Sequence, residues 1–84
     1  MILKNHPGLT GRQLAAARAL VSLSQTELAS QANISVPTLK RMEACQGKVS
    51  GYLNNILAVK EALEHHGIDF TNGDGPGVRL RKQS

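Results

Sequence analysis

The sequence predicts a mainly α-helical domain, a bundle of four to five helices with a short C-terminal β-hairpin. Three observations predict it. A helix-start phrase, in which an apolar residue precedes Ser or Thr and a polar residue and Leu follow, occurs three times. A fourth stretch, from about residue 50 to 66, carries apolar residues at helical spacing. Beyond Gly67 that spacing gives way to alternation on either side of a dense turn signal.

The phrase reads Leu9-Thr10-Gly11-Arg12-Gln13-Leu14, then Leu23-Ser24-Gln25-Thr26-Glu27-Leu28, then Ile34-Ser35-Val36-Pro37-Thr38-Leu39. The hydroxyl of Thr10, Ser24 or Ser35 can accept the free N–H at the third helical position, and each such cap is worth about 1 kcal/mol. Gln13 and Glu27 can reach back to complete capping boxes, and Leu23 with Leu28 makes a hydrophobic staple. Thr38 is a weaker third-position partner. Pro37 falls in the first turn, where its missing N–H costs nothing.

The stops agree with these starts. The first helix is expected from Gly11 to Val21, with Leu14, Ala15, Ala17, Ala19 and Val21 at helical spacing. The second runs from Gln25 to Ala32, and Asn33 follows where a left-handed residue is wanted. The third runs from Val36 to Cys45, ahead of Gly47. The fourth begins near Ser50 or Gly51, carries Leu53, Ile56, Leu57, Val59 and Leu63 as its stripe, and ends at Gly67. His65 and His66 lie in its last turn, where positive charge suits the helix dipole.

Ile68-Asp69-Phe70 and Val78-Arg79-Leu80-Arg81 alternate about Thr71-Asn72-Gly73-Asp74-Gly75-Pro76-Gly77. The expected hairpin has Ile68, Phe70, Val78 and Leu80 on one face, with Arg79, Arg81 and Lys82 solvated. An isolated two-stranded hairpin is marginal in water. This one must therefore close the chain's own core or pair with a second copy, the four apolar residues being the dimerisation candidates. The chain divides into a helical domain over 9–66 and a tail over 67–84.

Composition narrows the classes of function. With 84 residues the chain forms one domain; a domain this short buries only about 60% of its unfolded surface, so self-association would help it. Its aromatics are one Tyr and one Phe, which argues against folds that stack bases on aromatic platforms. A net charge of +4 suits a polyanionic partner but equally an ordinary basic surface. No apolar run approaches the ~20 residues of a membrane span. Met1-Ile2-Leu3-Lys4-Asn5 lacks the apolar core of a signal peptide. The single cysteine, Cys45, suits a reducing compartment, and a cytoplasmic location is expected. His65 and His66 with Glu61 or Glu64 gather no further ligands, so no metal or cofactor is expected. No residue set suggests an enzyme.

Helices 2 and 3 are short, and Asn33-Ile34-Ser35 alone separates them. Such a pair is either the helix-turn-helix unit of a DNA-binding protein or a plain α-helical hairpin, and spacing leaves both open.

The residues Leu23-Ser24-Gln25-Thr26-Glu27-Leu28-Ala29-Ser30-Gln31-Ala32-Asn33-Ile34-Ser35, followed by Thr38-Leu39-Lys40-Arg41-Met42-Glu43, resemble the phage lambda repressor and Cro family, also called the xenobiotic-response-element type. The resemblance covers residues 9–66 and extends into the tail. It implies a lambda-repressor-like helix-turn-helix bundle acting as a homodimer on a palindromic double-stranded DNA operator, most often as a repressor, through a recognition helix over 36–45. Asn33 stands where the family usually has Gly, and Asn adopts the same conformation. Val36 and Pro37 stand where the family often has polar base-contacting side chains.

On this reading Leu39 and Met42 face the core, and Ala29 allows close helix approach. Arg41, Val36, Pro37 and Thr38 are the base-contact candidates. Arginine can bond guanine bidentately, and Val36 can touch a thymine methyl. Ser24, Gln25, Ser35, Lys40 and Lys48 are the phosphate-contact candidates, Gln25 standing at a helix start with free N–H groups. The resemblance also implies a structural ion pair between Arg18 and Glu43. The rival expectation is an antitoxin or anti-activator that acts by binding a protein partner, a toxin or an activator.

Overall fold

A computed structural model describes residues 8–72 and 75–81. The N-terminal Met1–Asn5 stretch, Gly73 and Asp74 of the turn and residues 82–84 of the tail lie outside the described residues. Four helices and a hairpin follow in order: α1 Gly11–Leu20, α2 Gln25–Ala32, α3 Val36–Ala44, α4 Leu53–His65, β1 Ile68–Thr71 and β2 Gly77–Leu80.

The first three helices start at the three hydroxyl caps. Thr10 accepts from the Gln13 N–H, Ser24 from the Glu27 N–H and Ser35 from the Thr38 N–H, with full capping boxes at the first two. The Ser24 N–H donates to Glu27 at 2.8 Å and holds that carboxyl below its usual range. The α2 helix ends as expected, on Asn33 in the left-handed conformation with φ 60°.

Other boundaries shift. The α1 helix ends one residue early because Val21 leaves helical geometry and Ser22 turns to φ 58°. The α3 helix also ends one residue early, since Cys45 is extended. The α4 helix starts later than Ser50 or Gly51, because Gly51 sits at φ 128°, outside any right-handed helix. Tyr52 is its N-cap and makes no side-chain cap bond. Four helices are found among the described residues rather than five.

Leu14 and Ala17 of α1, Leu28 and Ala29 of α2, Leu39 and Met42 of α3, and Ile56, Val59 and Leu63 of α4 form one core, joined by Leu9, Val49 and Ile68. Leu9 and Val49 meet because the segment before α1 runs against the segment after α3. The Val49 N–H donates to the Leu9 carbonyl at 2.8 Å, and Thr10 bridges to Lys48. No described helix is long and apolar enough to cross a membrane.

The hairpin strands pair antiparallel, Ile68 opposite Leu80 and Phe70 opposite Val78. Directly opposed residues share a face, so the four apolar side chains form one surface. That surface is turned mostly into the chain's own core. Ile68 is fully buried, Phe70 and Val78 pack against the core, and only Leu80 stays exposed, at 40%. Gln13 of α1 fastens the hairpin. Its side chain is 3% exposed. Its Oε1 accepts the Thr10 N–H, while its Nε2 donates to the carbonyls of Thr71 at 3.1 Å and Gly77 at 3.0 Å and to Asn72 Oδ1 at 3.3 Å.

On the opposite face Asp69 accepts from Arg79 at 3.0 Å and from Arg81 at 2.6 Å, and Arg81 also donates to the Glu64 carbonyl. The two arginines hold the Asp69 carboxyl below its ordinary range, the hydrogen bond from Arg79 acting most strongly. A lowered carboxylate pKa contributes stability that is complete above the unfolded value and lost as pH falls through the folded one. Between neutral pH and strong acid, thermal melts should therefore show a hairpin-linked loss of stability on the acid side. Asp69→Asn should flatten that part of the profile, and an identical profile in the variant would remove Asp69 as its source.

Candidate nucleic-acid interface

The site is built on α2, the turn and α3. Asn33 reverses the chain, and the Ile34 N–H donates to the Ala29 carbonyl at 2.9 Å, which fixes the turn against α2. Ser35 then caps α3. Because Leu39 and Met42 are buried, the rest of the helix is oriented. Pro37, Lys40 and Arg41 are exposed, as is the cap residue Ser35, while Thr38 and Val36 are half-buried and Val36 packs against the core.

At the back of this unit lies a charged knot. Arg18 Nε donates to Glu43 Oε2 at 2.8 Å and Arg18 Nη2 to Glu43 Oε1 at 3.0 Å, a bidentate pair. Arg18 Nη1 also donates to the Leu23 carbonyl at 3.1 Å. The Glu43 side chain is 8% exposed and that of Arg18 23%, and the Glu43 hydrogen bond raises the Arg18 pKa further above its already high range. The knot ties the end of α1 and the start of α2 to the end of α3.

Gln25 belongs to the same knot, since its Nε2 donates to Glu43 Oε1 at 3.0 Å. The sequence reading of Gln25 as a phosphate contact did not include this bond. An amide nitrogen carries two N–H groups, so one remains after the bond to Glu43, at the first residue of α2. Ser24 beside it accepts the Glu27 N–H and keeps a hydroxyl proton to donate.

The exposed side of α3 has a chain of polar contacts. Ser35 Oγ and Thr38 Oγ1 lie 2.8 Å apart, and Arg41 Nη2 donates to Thr38 Oγ1 at 3.4 Å. Thr38 and Arg41 form one wall of a groove of about 200 Å³, and Ser50, Gly51, Tyr52 and Asn55 form the facing wall. Tyr52 is 81% exposed. Sequence reasoning missed Tyr52 and Asn55 because it started α4 at Ser50 or Gly51, which put Tyr52 inside the helix, whereas Tyr52 is its N-cap. The signal was a lone aromatic next to a glycine.

Lys48 is exposed but stands elsewhere. It lines a separate depression with Gly8, Thr10, Asn72 and Pro76. Lys40 remains on the outer side of α3. Among the described residues no three His, Cys, Asp or Glu side chains gather as a metal ion would require. The chain matches no protein-family model and no curated protein.

Proposed function

We propose that the chain is a sequence-specific double-stranded DNA-binding regulator of lambda-repressor-like fold, a homodimeric repressor that reads a palindromic operator with α3. The observation that carries this reading is the presentation of α3. A three-residue turn delivers it with its apolar side buried and with Ser35, Pro37, Lys40 and Arg41 turned to solvent, beside the start of α2. An exposed helix of this kind suits the major groove, with phosphates meeting the N–H groups at a helix start.

In this reading Arg41 bonds a guanine edge, while Val36 and Pro37 give an apolar contact at the start of α3. Gln25, Ser24, Ser35 and Lys40 meet phosphates, and Lys48 does so only at the periphery. Leu80 is the hairpin residue offered to a second copy, supported from within by Ile68, Phe70 and Val78.

The test is a mobility shift, at defined salt, with the DNA upstream of the chain's own gene. A retarded complex with two chains per duplex is expected. Arg41→Ala should weaken specific binding by roughly tenfold or more, the scale of one bidentate base contact. Gln25→Ala should weaken binding to all sequences alike. No retardation would reject the DNA reading and favour a protein partner such as a toxin or activator, and full binding by both folded variants would reject α3 and the start of α2 as the binding surface.

A further inference from the structure

Resting on that DNA reading, we propose that Thr38 is a positioning residue: its hydroxyl holds the Arg41 guanidinium over one base pair and so sets the preference for guanine there. The contacts made by the hydroxyl carry this inference. Thr38 Oγ1 accepts from Arg41 Nη2 at 3.4 Å and shares a hydrogen bond with Ser35 Oγ at 2.8 Å. Ser35 Oγ in turn accepts the Thr38 N–H at 3.2 Å, so the pair is anchored to the first turn of α3.

A hydroxyl has one proton and two lone pairs. The Thr38 oxygen is thus already engaged on two sides within the chain, and a base edge is more directly served by the arginine it touches. Arg41 loses little by this bond. A guanidinium has five N–H donors, so after the bond to Thr38 the second proton on Nη2 and both on Nη1 remain to donate to guanine O6 and N7.

A long side chain that must be ordered on binding costs a factor of roughly threefold to tenfold in affinity. An arginine held beforehand by Thr38 avoids part of that cost, and only on the sequence it contacts. The rest of the surroundings agrees. Arg41 is exposed, and the wall facing it across the groove is Ser50, Gly51, Tyr52 and Asn55. None of these is charged, so among the described residues that line the groove no carboxylate competes with Thr38 for the guanidinium.

The experiment selects from a pool of random short duplexes with the wild type, Thr38→Val, Thr38→Ser and Arg41→Ala, and reads the enriched sequences and their affinities. Thr38→Val keeps the shape and, through its own N–H, the Ser35 cap. The wild type should enrich a guanine at one position of each half-site, and Arg41→Ala should lose it. Thr38→Val should lose roughly threefold to tenfold of that guanine preference, with an unchanged melting temperature and an unchanged dependence of affinity on salt. Thr38→Ser should restore it.

An undiminished preference in Thr38→Val, or a preference lost equally in Thr38→Ser, would overturn the role of the hydroxyl while leaving the DNA reading intact. A shallower salt dependence in Thr38→Val would overturn it in favour of a direct phosphate contact. A wild-type chain that enriches no sequence would reject the DNA reading itself, and this proposal with it.

Discussion

Gly11→Ala is expected to destabilise the protein by about 3 kcal/mol, the upper range for forcing atoms into a packed site. In most helices this exchange is favourable by up to about 1 kcal/mol, because glycine loses more chain entropy on folding. Here the surroundings reverse the sign. A Cβ at residue 11 would stand 2.5 Å from the Cys45 carbonyl oxygen and 2.6 Å from those of Glu43 and Met42. All three are backbone atoms, so no side-chain rotation relieves the clash.

The closeness has an electrostatic cause. The first N–H groups of α1 and the last carbonyls of α3 lack partners within their own helices, and the two ends carry opposite partial charge. Gly11 lets them approach, and its N–H reaches the Gly47 carbonyl at 3.4 Å. For a domain of this size the melting temperature should fall by roughly 10 to 20 °C, measurable by circular dichroism. A melt equal to the wild type would mean that α1 and α3 can separate at no cost.

The second large effect is expected at Gln13. Gln13→Met keeps the length of the side chain and removes its amide. The Thr10 N–H and the carbonyls of Thr71 and Gly77 then lose a partner, and the first capping box disappears. At about 1 kcal/mol per net bond, and more for groups left unsatisfied, the loss should be about 2 to 3 kcal/mol. It should be uneven. In hydrogen exchange the amides of Asp69 and Arg79, which the register places in a hydrogen-bonded pair, should lose more protection than those of Leu28 or Leu63. A uniform loss would show that Gln13 supports the bundle as a whole and does not fasten the hairpin in particular.

These two residues mark what the sequence can and cannot show. The starts of α1, α2 and α3 were legible because a cap involves a hydroxyl and an N–H three residues away, and the hairpin faces because alternation is equally local. Gln13 was legible as a capping residue. Its second task was not, since the partners lie 58 to 64 positions further on. The approach at Gly11 was hidden for the same reason. Tyr52 was misplaced because a Ser-Gly pair resembles a helix start, whereas the left-handed turn at Gly51 defers it.

In the candidate interface, the outward side of α3 followed from Leu39 and Met42 alone. The pairing of Arg18 with Glu43 came only through family resemblance, and the capture of Gln25 by Glu43 came from neither source. Lys48 was assigned by its place in a loop, but the bridge to Thr10 turns that loop toward the hairpin.

The start of α1 therefore bears on how the chain is made. Its cap can close within microseconds of leaving the ribosome, because helix formation is that fast. Its anchors cannot, since Val49 and Gly77 are translated much later, and at about 5 to 20 residues per second the wait for Gly77 lasts several seconds. Until its neighbours are made, α1 has its cap but is marginal as a helix of 10 residues. A strand made 64 residues after Gln13, β2, is what fastens the start of α1.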